Sequence, residues 1–131
     1  LDMSNWGCGT FDNDDAWAWM WDLESHVDTT AILEAFDDIT FEEDAGLESI
    51  AIAAAEVVAA LHNKPLRILP DGVVNWVAGK SKPDEDLVKR ARSIVSKVLR
   101  NSELKECFRE EGDEAYTDWV ANLEDLHGRL N

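Results

Sequence analysis

Apolar residues recur at helical spacing along almost the whole chain, and no run of alternating β-branched residues predicts a strand. The pattern predicts a single all-α domain of six or seven helices that covers residues 1–131. A nearly apolar, alanine-rich segment from about Leu47 to His62 is expected to be the central helix. Its longest apolar stretch, Ile50 to Leu61, is too short to span a bilayer and is interrupted by Glu56.

The other helices are placed by their apolar stripes and by capping residues. One helix is predicted to start near Asp28 or Thr29, a short one to run from Asp71 to about Ala78, and a long one to follow Pro83. Two more are predicted to start at Asn101 or Ser102 and after Gly112, the last of them ending at Gly128. The helix that starts near Asp28 or Thr29 is expected to bury Ile32, Leu33, Phe36 and Ile39. The apolar residues of the short helix are Val73, Val74, Trp76 and Val77.

The first helix is predicted to begin near Asp12, whose carboxylate would accept the first free backbone amides. Asn13, Asp14 and Asp15 would then complement the positive end of the helix dipole, and Phe11 would pack back onto the first turn. Calcium binding by this acidic cluster is not expected, because the oxygen ligands and the glycine that an EF-hand requires are missing from the following positions.

Tryptophans make this helix apolar over more than half of its circumference. Trp17 and Trp21 are expected to face the core, whereas Trp19 lies on the adjoining side. Two interpretations of the Trp19 side stay open. Either the N-terminal loop, residues 1–11 with Trp6, folds back over it, or it is a partner surface on which an aromatic residue is surrounded by acids.

Glu56 is the only charge between Ile50 and Leu61, and an unpaired carboxylate in a central helix would be strongly destabilising. Two sets of partners are plausible. One is Lys64 or Arg67, after the helix. The other is the backbone amides of the loop from Gly7 to Thr10, where Gly7 and Gly9 allow a close approach. We favour the loop.

The charge distribution narrows the possible partners. The chain has 28 acidic and 12 basic residues, for a net charge of −16, and no Lys or Arg occurs before Lys64. This charge disfavours binding to nucleic acids and to anionic membranes. The basic segment at residues 80–109 would either lie beside acidic segments of the same molecule or leave an acidic face for a basic protein partner.

Candidate chemistry is sparse elsewhere. Cys8 and Cys107 lack the spacing of a zinc or redox pair and indicate reduced thiols in a cytoplasmic protein. Acidic neighbours should raise the pKa of the Cys8 thiol. The three histidines, His26, His62 and His127, each fall near a predicted helix end, where a partly cationic imidazole complements the dipole. We therefore expect no metal and no cofactor.

Two motifs carry a family resemblance. Trp6-Gly7-x-Gly9-x-Phe11-Asp12-Asn13-Asp14-Asp15-Ala16, taken with Ala53-Ala54-Ala55-Glu56-Val57-Val58-Ala59-Ala60-Leu61, resembles a bacterial family designated domain of unknown function 4259. The resemblance extends over nearly the whole chain. It implies a compact bacterial domain without an assigned reaction, in which the loop and the Glu56 helix belong together.

No motif of known chemistry specifies the function. The favoured hypothesis is a non-enzymatic, acidic, cytoplasmic domain that binds a basic protein through its N-terminal half. An immunity or antitoxin-like inhibitor is its most concrete form. The alternative hypothesis is a small enzyme or ligand-binding domain with its site between the Gly7–Asp15 loop and Glu56, where a buried glutamate with a raised pKa would act as a general acid.

Overall fold

The computed structural model describes residues 7–131, and helices account for most of this range. No strand occurs within it, so the prediction of a single all-α domain is confirmed. The seven helices are α1 (Asp14–Glu24), α2 (Thr30–Phe41), α3 (Ala45–Leu61), α4 (Asp71–Val77), α5 (Glu85–Arg100), α6 (Glu103–Glu111) and α7 (Asp113–Arg129).

Four of the helices begin at a side chain that accepts a hydrogen bond from a backbone amide of the first turn. Asn13, Asp44 and Asp84 do so for α1, α3 and α5 at 2.8–2.9 Å, and Ser102 does so for α6 at 3.0 Å. Such a cap satisfies one of the amides that a helix start leaves unbonded, and it contributes about 1 kcal/mol. The capping residues therefore determine where these helices begin.

Helix α3 is the centre of the domain. It contacts each of the other six helices, and 13 of its 17 residues are buried. Alanines at positions such as Ala51, Ala54 and Ala59 are completely inaccessible, so neighbouring helices approach the α3 backbone closely on several sides. The prediction of a central alanine-rich helix is thereby confirmed.

Helices α5, α6 and α7 pack around α3 with one buried stripe each, as their apolar spacing predicts. Phe108 of α6 stacks on Trp119 of α7, with ring centroids 5.4 Å apart. Gly79 and Gly112 have positive φ angles of 80° and 130°, a conformation that favours glycine. They follow α4 and separate α6 from α7, as the sequence predicts.

Several boundaries and faces differ from the prediction. Leu33 was expected to be buried, but it is 39% exposed because it lies just off the side of α2 that faces the core. Val74 of the short helix α4 is 49% exposed for the same reason. Helix α7 continues through Gly128 to Arg129, where its last residues pack on the domain. Among residues 7–131, no helix is both long and apolar enough to cross a membrane.

The histidines occupy the helix ends that the sequence predicts. His62 is the C-cap residue of α3, and His127 lies in the last turn of α7. His26 follows α1, and its Nδ1 lies 2.9 Å from the carbonyl oxygen of Asp22. This hydrogen bond raises the pKa of His26, as expected for an imidazole at the negative end of a helix.

Candidate functional site

The loop before α1 is organised around the carboxylate of Asp12. Asp12 Oδ2 accepts a hydrogen bond from the amide of Gly9 at 2.9 Å, and the Asp12 amide donates to the carbonyl of Gly9 at 3.1 Å. A Cβ atom at Gly7 or Gly9 would lie only 2.6 or 2.7 Å from Asp12 Oδ2. The two glycines therefore provide the space that this carboxylate occupies.

The prediction that Asp12 caps the first helix is wrong, because its carboxylate is used within the loop. Asn13 is the cap: its Oδ1 accepts from the amide of Ala16, and its Nδ2 donates to the carbonyl of Thr10 at 3.4 Å. Asp14 and Asp15 occupy the first turn, where they complement the helix dipole as predicted.

The tryptophans of α1 are not arranged as the sequence suggested. Trp19 is 8% exposed and belongs to the core, whereas Trp21 is 65% exposed. The buried stripe is Ala16, Trp19, Met20 and Leu23, at the spacing of one helix face. Trp17 is half-buried, and its Nε1 donates to the carbonyl of Phe11 at 2.7 Å, which ties the loop to the helix. The predicted role of Trp6 lies outside the described residues.

Glu56 is fully buried at the centre of a polar network. Its Oε2 accepts from the hydroxyl of Thr10 at 2.9 Å, and its Oε1 accepts from Nη1 of Arg129. The Thr10 hydroxyl in turn accepts from Asn122 Nδ2 at 3.1 Å. The network joins the loop, the central helix and α7, so that the chain's first described segment is fixed to its last helix.

The predicted partners of Glu56 are partly correct. The loop does supply one, but through the Thr10 side chain and not through backbone amides. The cation is Arg129, whereas Lys64 and Arg67 do not pair with Glu56. Lys64 contributes only its backbone carbonyl, which accepts from Arg129 Nη1 at 3.1 Å. Sequence reasoning missed Arg129 because it is 73 positions away from Glu56.

Opposing effects act on the ionisation of this network. Burial raises the pKa of Glu56, although Arg129 and Thr10 favour its charged form. Burial also disfavours the charged form of Arg129, but the effects of Glu56 and Asp125 are larger than the effect of burial, and the pKa of Arg129 is raised. Arg129 is thus held as a cation by two carboxylates, Glu56 and Asp125, the second at 2.8 Å from its Nε.

A second buried glutamate, Glu48, was not singled out by the sequence. Its Oε1 accepts from the backbone amide of Leu104 at 2.9 Å, so a carboxylate on α3 helps to cap the start of α6. Its Oε2 has no hydrogen-bond donor among the described residues. Burial raises the pKa of Glu48, against the effects of the Leu104 amide and of Lys97. The sequence feature that could have identified Glu48 is an acidic residue in the first turn of a long apolar helix.

Two spaces border the loop. A cavity of about 10 Å³, enough for a single water molecule, borders Thr10, Asn13 and Asn122. A groove of about 440 Å³ lies outside the loop, and its walls are mainly apolar: Phe11, Trp17, Leu66, Ile68, Leu69 and Pro70. Neither space is lined by Glu56. Within residues 7–131, no group of three or more His, Cys, Asp or Glu side chains is arranged to hold a metal ion.

Cys8 is a half-buried thiol next to α7. Its Sγ lies 3.5 Å from the carbonyl oxygen of Ala115, to which it donates. Burial raises the pKa of Cys8, and the negative charges of Glu111 and Asp118 raise it further. The predicted increase is confirmed, and it keeps the thiol protonated and poorly nucleophilic.

The exposed side chains of residues 14–44 form what we call the acidic surface. Of its acids, Asp37 forms an ion pair with Arg90 of α5, whereas the other nine form no ion pair within the described residues. Trp21, Val27 and Phe41 are exposed among these acids, at 65%, 87% and 89%. The exposed acids are Asp14, Asp22, Glu24, Asp28, Glu34, Asp37, Asp38, Glu42, Glu43 and Asp44.

Comparison with known protein families confirms the resemblance seen in the sequence. The family model DUF4259, described as a domain of unknown function, matches residues 4–122. The matched range includes the Asp12 loop, Glu56 and Asn122, and it ends before Arg129. No curated protein and no solved structure matches the chain.

Proposed function

We propose that this chain, which belongs to the DUF4259 family, a domain of unknown function, is a non-enzymatic domain that binds a basic protein. The family description names no activity, so the proposal is based on the surface of the domain. The observation that carries this proposal is the exposure of Trp21. A tryptophan that is 65% exposed stands on α1 beside the exposed carboxylates of Asp22 and Glu24. Large aromatic side chains within a polar rim are typical of binding hot spots.

Charge complementarity identifies the partner's chemistry. The acidic surface has ten exposed carboxylates, of which one is neutralised by an ion pair within the domain. No Lys or Arg occurs in residues 1–63 to reduce the charge of this half of the chain. Such a surface attracts a cationic protein and accelerates its association, and it repels polyanions. Masking of a basic toxin by an immunity or antitoxin-like protein fits this chemistry.

The alternative hypothesis loses its main support. A catalytic or ligand-binding Glu56 would need an oxygen that is accessible from a pocket. Both oxygens of Glu56 are instead hydrogen-bonded, one to Thr10 and one to Arg129, and the residue is inaccessible to solvent. This arrangement fits a structural role for the Glu56 network.

The proposal can be tested by affinity capture followed by measurements on purified proteins. The full chain is used to capture proteins from its host at low salt, each captured protein is identified by mass spectrometry, and its affinity for the domain is measured by calorimetry. We expect a basic partner whose affinity falls as salt shortens the Debye length below about 10 Å. The Trp21→Ala substitution should weaken binding at least tenfold. The matched control Ile68→Ala removes an apolar side chain that is 82% exposed outside the acidic surface, and it should leave the affinity unchanged.

A second pair of variants separates local charge from net charge. The double substitution Asp22→Asn/Glu24→Gln removes two charges beside Trp21, and Glu110→Gln/Glu114→Gln removes two exposed charges from α6 and α7. We expect only the first double variant to slow association. Equal effects of both double variants, or a partner whose affinity is insensitive to Trp21→Ala, would contradict the proposal.

A further inference from the structure

An open cavity of about 410 Å³ lies where the end of α3, the start of α5 and the end of α7 meet. Its volume is within the range of small-molecule sites. The lining includes Pro83 and Val88 as apolar side chains, and His62, Lys82, Lys89 and Arg92 as nitrogen-bearing ones.

The charge of this lining is opposite to that of the protein. Three of the chain's 12 Lys and Arg residues line the cavity, although acids outnumber bases by 28 to 12. Among the side chains of the lining one is a carboxylate, Glu85, and it is 3.6 Å from Lys89 in an exposed i,i+4 pair. Lys82 and Arg92 are therefore left without a carboxylate partner among the described residues.

Arg92 is held in place by Leu130 and Asn131. Its Nη1 donates to the carbonyl of Leu130 and to Oδ1 of Asn131, both at 3.3 Å. Both bonds use the same nitrogen, so Nη2 and Nε stay available as donors within the described part of the protein. A guanidinium that is fixed in this way is preorganised for an oxyanion.

Helix capping explains only part of this cluster. Cations are favourable at helix C-termini, and Lys64 and Arg92 do donate to the carbonyls of Asn131 and Leu130 at the end of α7. The Lys82 side chain is exposed and forms neither a capping bond nor an ion pair within residues 7–131. The positive lining exceeds what the helix ends require.

We infer that this cavity binds a small organic molecule through a phosphate group. Arg92, Lys82 and His62 come from three different segments, so they can donate to different oxygens of one tetrahedral oxyanion, whereas a carboxylate would need only the fork of Arg92. The cavity is larger than a phosphate ion, and Pro83 and Val88 would contact the organic part. This site is independent of the acidic surface.

The inference is tested by titrating the full chain with inorganic phosphate, glycerol 3-phosphate and AMP. Affinity is followed by calorimetry and by the NMR shifts of the Val88 methyl groups. Sodium chloride at equal ionic strength is the reference, because any salt screens the self-repulsion of a protein with a net charge of −16. We expect saturable binding of all three probes, with AMP or glycerol 3-phosphate at least fivefold tighter than phosphate.

Lys82→Gln should weaken binding at least fivefold, and it should fold normally because Lys82 is exposed. The double variant Lys82→Gln/Arg92→Gln should abolish binding. Its matched control, Arg67→Gln/Arg100→Gln, removes two exposed cations elsewhere and should bind as the unmodified protein does. A response no larger than that of chloride, or an equal loss in the control, overturns the site. Equal affinities for the three probes overturn the organic part of the ligand.

Discussion

Glu56 of α3 and Arg129 of α7 form an ion pair in which the carboxylate is completely buried and the guanidinium side chain is 16% exposed. Arg129 also contacts Asp125 and the backbone carbonyl of Lys64, and Glu56 accepts from Thr10 as well. The central helix can carry a carboxylate because these groups replace its hydration. The pair connects parts of the chain that are far apart in sequence.

Replacing Arg129 by Met should destabilise the domain by about 3–5 kcal/mol, because it leaves the buried carboxylate of Glu56 without its counter-charge. Urea unfolding followed by circular dichroism measures the effect. Arg100→Met is the matched control, since Arg100 is exposed, and we expect it to change stability by less than about 0.5 kcal/mol. Adding Glu56→Gln to Arg129→Met should recover part of the loss. A double variant no more stable than Arg129→Met would show that the charge of Glu56 is not the cause.

Thr10→Val should cost about 1–3 kcal/mol, because the hydroxyl that donates to Glu56 and accepts from Asn122 is removed from a buried network. Thr10→Ser keeps the hydroxyl and should recover most of the stability. The control is Thr117→Val at an exposed position of α7, with an expected change below about 0.5 kcal/mol. Equal free energies of unfolding for the Val and Ser variants at position 10 would show that the hydrogen bonds contribute nothing.

The helical fold was largely predictable because it is encoded locally. Apolar spacing and the capping residues Asp84 and Ser102 specify where α5 and α6 lie, and the alanines of α3 indicate a helix approached from several sides. The Glu56 network was predictable only in part. A buried charge in an apolar helix signals that partners must exist, but sequence does not show which distant cation reaches it, so Arg129 was missed.

The face of α1 was mispredicted for a related reason. Residues 17–21 are apolar around most of the helix, so several different arcs satisfy the spacing rule, and contacts with α3 and α4 select the arc that contains Trp19. The capping residue of α1 was mispredicted for a similar reason. Asp12 and Asn13 are both good capping residues, and the two glycines that accommodate the Asp12 carboxylate decide in favour of Asn13.

The two neighbouring tryptophan positions provide a direct test of this face. Trp19→Ala should destabilise the domain by about 3–5 kcal/mol, because it empties a core position. Trp21→Ala should cost less than about 1 kcal/mol, since the ring is 65% exposed. Unfolding in urea measures both. Acrylamide quenching of the two single-Ala variants gives a second comparison. Quenching of Trp21 should be stronger than quenching of Trp19. The reverse order would contradict the assignment of Trp19 to the core.

The stability of the domain should depend on pH through Glu48, and the burial of the Glu48 carboxyl group determines the sign of this dependence. Its pKa in the folded protein is raised above the ordinary value, so the folded state holds this proton more tightly than the unfolded chain. The free energy of unfolding should therefore increase as pH falls from neutrality through the raised pKa, and this contribution should level off below the ordinary carboxyl pKa of about 4.3. The charged form is disfavoured at pH 7, where its Oε2 has no donor among the described residues.

Glu48→Gln should remove this dependence, because the amide keeps an oxygen for the Leu104 amide and does not titrate. We expect the stability of the Gln variant relative to the unmodified protein to decrease as the pH falls from 7 to 5. Thermal unfolding across this range measures the difference. Contributions from Glu56 and from the fall in net charge are common to both proteins and cancel. The control Glu110→Gln, at an exposed position of α6, should change stability at pH 7 by less than about 0.5 kcal/mol. A stability difference for Glu48→Gln that stays constant across the range would mean that Glu48 does not take up a proton on folding.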